Sequence, residues 1–138
     1  KIVKFQKLKK KFMTIILLDD DPITNIINQK VVSSFFPEDS IDVFTNPKQA
    51  ISCIENMVNE KILLFLDLNM PVLNGWDVLA YLDAHERFDN IKVIIVSSTP
   101  TEGDKRRSYK HSRVKSFIIK PLTYPKVEKL KNDLLLQN

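Results

Sequence analysis

Only one cysteine, Cys53, occurs in the 138 residues. An internal disulfide framework is therefore excluded, and a reducing compartment fits best. Cys53 lies among Ala50, Ile51, Ile54 and Met57 at helical spacing, which reads as a small buried core residue rather than a reactive thiol. Glycine is almost as scarce, with Gly75 and Gly103 alone. No glycine-rich phosphate loop can be built from two isolated glycines, which argues against nucleotide binding or kinase activity. No apolar stretch approaches the roughly 20 residues that cross a bilayer, and no segment suits a secretory signal. A cytoplasmic protein with no membrane partner is the expectation. The two histidines, His85 and His111, lack ligand spacing and acidic company of their own, and both read as exposed.

Acids are absent from residues 1–12, which hold six lysines. The net charge of +4 therefore leaves −2 on the remainder, so the body is mildly acidic and the positive charge belongs to a tail. Residues 1–12 read as a basic N-terminal tail: a translated leader, an artefact or a real basic arm. The body gives no reason to expect nucleic acid as a partner. Residues 13–138 form one domain, long enough to bury a core, and the apolar share of 43% is ordinary for a soluble globular protein.

What the chain does contain is a regular alternation. Branched apolar runs at 15–18, 62–66, 93–96 and 117–119 read as buried parallel strands, and the strands are expected over 14–18, 41–44, 62–66, 91–96 and about 114–119. Between and after them come helical patterns. The first runs from Pro22 to about Phe36, with Asp21 as N-cap and an apolar face of Ile23, Ile26, Ile27, Val31 and Phe35. The second opens at Asn46-Pro47 and runs to about Asn59. The third follows Asn74-Gly75, with Trp76, Leu79 and Leu82 able to face inward. The fourth, within 101–111, is polar, short and weakly held, and the fifth covers about 124–136. The expected fold is α/β: a (βα)5 doubly wound, five-stranded parallel sheet with helices on both faces.

The polar residues cluster at the ends of these runs. Asp19-Asp20-Asp21 follows the first strand, Asp67 the third, Ser97-Ser98 the fourth and Lys120-Pro121 the fifth. In open α/β sheets ligands bind outside the carboxyl ends of the strands. Three carboxylates, a hydroxyl and an ammonium on one rim suit a divalent cation and a phosphoryl group. Asp21 reads instead as a helix cap.

In this order and spacing, ILLDDDP (16–22), LFLDLNMPVLNG (64–75), IIVSS (94–98) and FIIKP (117–121) resemble the motifs of response regulator receiver domains of two-component signalling. The resemblance covers 13 to about 137 and implies that the doubly wound sheet is flavodoxin-like. It implies that Asp67 is the phosphoacceptor, and that Asp19 and Asp20 hold Mg²⁺ together with Asp67 and the backbone carbonyl of Asn69. Asp20 would be a direct ligand and Asp19 would act partly through water. It implies that Ser97 hydrogen-bonds the phosphoryl group and that Lys120 places an ammonium on it. Ser97 and Phe117 would form the switch, Phe117 turning inward after phosphorylation. Pro121 would follow a cis bond, and Met70-Pro71 and Gly75 would shape the loop. Simple packing is the competing reading of Phe117, and backbone satisfaction that of Ser97.

The expected function is that of a single-domain response regulator in a phosphorelay. A sensor histidine kinase or a histidine phosphotransfer protein would donate the phosphoryl group, and a downstream protein target would read the switched surface. Phosphotransfer and autodephosphorylation would be self-catalysed, and the role that of a signalling phosphoprotein rather than an enzyme. The alternative is a Mg²⁺-dependent aspartyl-phosphate hydrolase or phosphotransferase, which would need a second acid/base group beside Asp67 and a cap to enclose substrate. A pure interaction module fits the complete acidic and basic set less well.

Overall fold

A computed structural model describes residues 13–57 and 60–136. The basic tail over 1–12 and the expected end of the second helix at Asn59 lie outside those residues. The strands are β1 (Thr14–Leu18), β2 (Ser40–Phe44), β3 (Ile62–Asp67), β4 (Ile91–Ser97) and β5 (Val114–Ile119). The helices are α1 (Pro22–Phe35), α2 (Pro47–Glu55), α3 (Gly75–Asp83), α4 (Glu102–Ser108) and α5 (Tyr124–Leu136). A 3-10 turn at Glu86–Phe88, unforeseen from sequence, buries Phe88 completely.

All five strands are parallel, in the order β2-β1-β3-β4-β5. The chain leaves β1 in one direction to β2 and in the other to β3, so the sheet reverses at β1/β3. A crevice forms at such a switch point, beyond the carboxyl ends of the strands. Side chains alternate between the two faces. Ile16, Leu18, Leu64, Leu66, Val93 and Ile95 pack with α2 and α3. Ile15, Leu17, Leu63, Phe65, Ile94 and Val96 pack with α1 and α5. Burial on both faces is why Ile15–Leu18, Ile62–Leu66 and Val93–Val96 read as unbroken apolar runs.

The helix starts are chemically explicit. Asp21 caps α1, accepting from the Ile23 N–H at 3.1 Å and the Thr24 hydroxyl at 2.8 Å. Asn74 and Asp77 form a reciprocal capping box on α3, and Thr101 and Asp104 form another on α4. The α4 box gives this polar seven-residue helix a firm start.

Several expectations need correction. The inner face of α1 consists of Asn25, Asn28, Val31 and Val32. Ile23, Ile26 and Ile27 point outward instead, 67%, 67% and 52% exposed. Helical periodicity marks a stripe, but the polar ends of the strands decide which side faces the sheet. Here the Asn25 side chain donates to the carbonyls of Asp19 (2.9 Å) and Phe44 (3.1 Å), fixing the helix in that rotation. Helix α2 stops at Glu55, and Cys53 is half-buried rather than fully enclosed.

The histidines also differ from expectation. Both are half-buried. His85 Nδ1 lies 3.0 Å from the Tyr81 carbonyl oxygen. His111 pairs with Asp83, a partner 28 residues away that no local pattern reveals. Arg113 also reaches Asp83 at 2.5 Å, and donates to the carbonyls of Phe88, Ile91 and Leu82. Partial burial pushes the Asp83 carboxyl up, but the hydrogen bonds from Arg113 and His111 outweigh it and hold the group low. Trp76 is half-buried against the core, with the Arg107 guanidinium 4.1 Å above its ring. Together these contacts tie α3 to α4 and the start of β5.

Candidate functional site

The end of β1 delivers Asp19 and Asp20, and the end of β3 delivers Asp67. Asp19 and Asp67 are each only 4% exposed, whereas Asp20 is open to solvent. One carboxylate oxygen from each of the three lies within 4.8 Å of the others. Two of these carboxylates are nearly buried, so their mutual repulsion is weakly screened. Burial, followed by the charge of Asp19, raises the Asp67 carboxyl from the ordinary 3.8 to about 6. Lys120 opposes that shift without cancelling it.

Lys120 arrives from the end of β5. Its Nζ lies 2.6 Å from Asp19 Oδ2 and 3.5 Å from Asp67 Oδ2. Its backbone N–H donates to the Ser97 carbonyl at 2.8 Å, joining the ends of β5 and β4. Partial burial pulls the ammonium down, but the hydrogen bond to Asp19 and the two negative charges hold it above its usual range. The Lys120–Pro121 peptide bond is cis.

Ser97 follows Val96, the register partner of Asp67, so its side chain lies beside the same rim. It is fully buried, and its hydroxyl has no hydrogen-bond partner among the described residues. An unsatisfied buried hydroxyl costs about 1–3 kcal/mol, a penalty that a ligand oxygen would relieve. Ser98, the competing hydroxyl, is exposed. Phe117 is half-buried and packs against the α2/α3 side of the core.

The loop after β3 is built tightly. The Asn69 N–H donates to Asp67 Oδ1 at 3.2 Å, and the Gly75 N–H donates to the Leu68 carbonyl at 3.0 Å. A Cβ on Gly75 would stand 2.6 Å from the Asp67 carbonyl oxygen and 2.8 Å from the Leu68 Cα. Only glycine lets α3 start this close to the backbone that carries Asp67. Val72 holds φ 69° at the loop tip, where the Leu73 N–H donates to the Pro71 carbonyl at 2.8 Å in a three-residue turn. A β-branched residue in that region is strained by roughly 1–3 kcal/mol. Nothing in the sequence marked Val72, since glycine or asparagine would be the usual signal there.

The donor chemistry fits Mg²⁺: hard oxygens, two nearly buried and one in contact with water, suit a cation that retains several waters. The Asn69 carbonyl belongs to the same loop. Beside these oxygens, an ammonium and an unpartnered hydroxyl suit an anion. Asp19, Asp20, Asp67 and Lys120 thus converge, and Ser97 lies on the neighbouring strand end. Asp21 stays with its helix. Asn25 and Asn28, buried beneath the carboxylates, escaped the sequence reading altogether.

Residues 15–132 match the family described as response regulator receiver domain. Chemotaxis protein CheY1 of Helicobacter pylori strain J99 is 29% identical over 126 residues, covering 90% of this chain and 97% of that protein. Stress response regulator protein 1 of Candida tropicalis is 28% identical over 109 residues, or 78% of this chain. The chain spans only about two fifths of the length of some of these relatives, 39% and 40% in two cases. Among solved structures, a two-component response regulator from Cytophaga hutchinsonii superposes with a TM-score of 0.78 at 24% identity, covering 89% of this chain and 96% of that one. A response regulator from Legionella pneumophila gives a TM-score of 0.73 at 26% identity, over 91% of this chain and 98% of that one. The family match spans residues 15–132, a stretch that contains all the rim residues: this chain belongs to the response regulator receiver domains of two-component signalling.

Proposed function

We propose that the chain accepts a phosphoryl group on Asp67 from a phosphohistidine of a sensor histidine kinase or histidine phosphotransfer protein, and that the modification switches a surface read by a downstream protein. The observation that carries this reading is the Ser97 hydroxyl, fully buried and without a partner among the described residues, on the strand end next to the one that carries Asp67. An Asp67 oxygen attacks phosphorus in line, the P–N bond breaks, and its electron pair returns to the imidazole of the donor. Lys120 turns its ammonium to the phosphoryl oxygens, and Ser97 donates its hydroxyl hydrogen to one of them.

Asp19, Asp20, Asp67 and the Asn69 carbonyl would hold Mg²⁺. Bound there, the ion supplies positive charge that offsets the negative charge of the carboxylates and the incoming phosphoryl group. Among the described residues no helix is long and apolar enough to cross a membrane, and a cytoplasmic location accords with the proposed donor. The exposed isoleucines of α1 stand next to the rim, on a helix whose only charged residue is Lys30. Such a charge-poor apolar surface suits contact with the donor protein. No observation favours the hydrolase reading over this one.

The test uses phosphoramidate as a small phosphodonor. Incubation with Mg²⁺ should add one phosphoryl group that is lost in base, the behaviour of an acyl phosphate. Omission of Mg²⁺ should suppress the reaction. A phosphoryl group stable in base, or one added equally well in chelator, would refute the proposal.

A further inference from the structure

Helix α1 turns two asparagines toward the sheet where apolar side chains would be expected. Asn25 is 2% exposed and Asn28 is 7% exposed. Burying an amide is unfavourable unless its polar atoms find partners. The Asn25 amide orientation is fixed by chemistry: Nδ2 faces two carbonyl oxygens, those of Asp19 and Phe44, and only the NH2 end can donate to them. Oδ1 must then face the other way, and it is buried without a partner among the described residues.

Asn25 lines a recess of about 10 Å³ together with Asp19, Asn28, Asp67, Leu17, Phe65 and Val96. The volume is about what one water needs. The two carboxylates bordering it differ in how well they are satisfied. Asp19 Oδ1 accepts from the Asp21 N–H at 2.9 Å, and Asp19 Oδ2 accepts from Lys120 at 2.6 Å. Among the described residues Asp67 has only the longer contacts, 3.2 Å from the Asn69 N–H and 3.5 Å from Lys120. Asn25, whose amide oxygen lacks a partner among the described residues, and the under-satisfied Asp67 both line this recess. Water carries two hydrogens and fits the space. The Asn28 side chain borders the same recess.

We infer that Asn25 is a positioning residue for Asp67: its Oδ1 anchors one buried water that donates its other hydrogen to the Asp67 carboxylate and fixes that group's rotation from behind. The carboxylate is then pinned on the side opposite the incoming phosphorus, so that the attacking oxygen is presented in line. This role rests on the phosphoacceptor reading, but the water itself does not.

The first test is a high-resolution crystal structure of the unmodified protein. One ordered water within hydrogen-bonding distance of Asn25 Oδ1 and an Asp67 oxygen is expected. A dry recess would overturn the inference, and this readout is independent of whether Asp67 is ever phosphorylated. The second test compares Asn25→Leu with Asn25→Ala in phosphoramidate reactions at saturating phosphodonor and Mg²⁺. Both variants lose the straps to Asp19 and Phe44. Leucine fills the site with hydrocarbon, while alanine leaves room for water to take the place of the amide. The rate should fall about tenfold in Asn25→Leu and be partly restored in Asn25→Ala, even though alanine removes more packing. Equal rates in the two variants, or a lower one in Asn25→Ala, would show that Asn25 acts only as a strap and would overturn the proposed role.

Discussion

Lys120 is closer to Asp19 than to Asp67, at 2.6 Å against 3.5 Å. The ammonium therefore serves mainly to hold the first-strand carboxylate, and stands within one side-chain movement of a closer contact with Asp67. This arrangement explains why Asp67 remains hard to ionise although a cation lies beside it.

Replacing that ammonium should expose the cost of the acidic cluster. Lys120→Gln leaves two nearly buried carboxylates without their counter-charge, and should destabilise the metal-free fold by about 1–3 kcal/mol. Millimolar Mg²⁺ should recover part of the loss by supplying charge to the same oxygens. Urea melts in chelator and in Mg²⁺ measure both effects; equal losses in the two conditions would count against a cation site there.

The raised Asp67 carboxyl makes a signed prediction about pH. Its folded value of about 6 exceeds the ordinary 3.8, so between these values the folded state binds more protons than the unfolded state. Stability from this group is thus greatest below pH ~4 and declines as pH rises through 6, by up to about 3 kcal/mol. Asp67→Asn should raise the melting temperature in chelator at pH 7.5, and change it little at pH 4. A variant that melts lower than the parent at pH 7.5 would contradict the assignment of strain to this carboxylate.

Gly75 is the geometric hinge between α3 and the Asp67 loop. Gly75→Ala forces a methyl group to within 2.6 Å of the Asp67 carbonyl oxygen, where backbone must move. A destabilisation of roughly 1–3 kcal/mol is expected, with amide shifts in NMR spectra centred on 67–76. Gly103→Ala serves as the control, since its nearest neighbour is 3.7 Å away.

The fold and the rim were largely legible in the sequence, for a common physical reason. Strands buried on both faces must be apolar throughout, so Ile62–Leu66 and Val93–Val96 declared themselves, and the polar residue ending each run had to fall on one edge of the sheet. Rotation of α1 was not legible. Its isoleucine spacing implied a buried face, but the needs of the strand ends turned Asn25 inward, and only the third dimension reveals the two carbonyls it straps. His111 and Asp83 were missed for the same reason, being partners across two elements rather than along one.

The outward isoleucines lead to a prediction about partner choice. Ile26→Glu should leave stability within about 0.5 kcal/mol of the parent, because that side chain is already in water. It should leave phosphorylation by phosphoramidate unchanged while slowing transfer from a phosphohistidine protein by about tenfold or more. Equal rates from the protein donor would move the docking surface elsewhere on the rim.

The central claim is that Asp67 carries the phosphoryl group, and peptide mapping by mass spectrometry tests it most directly. After exposure to phosphoramidate and Mg²⁺, the parent protein should gain one phosphoryl mass, located on the peptide that contains Asp67. The Asp67→Asn variant, folded by the same melting criterion, should gain none. A phosphoryl group that persists in the variant, or that maps to His85, His111 or a serine, would contradict the account.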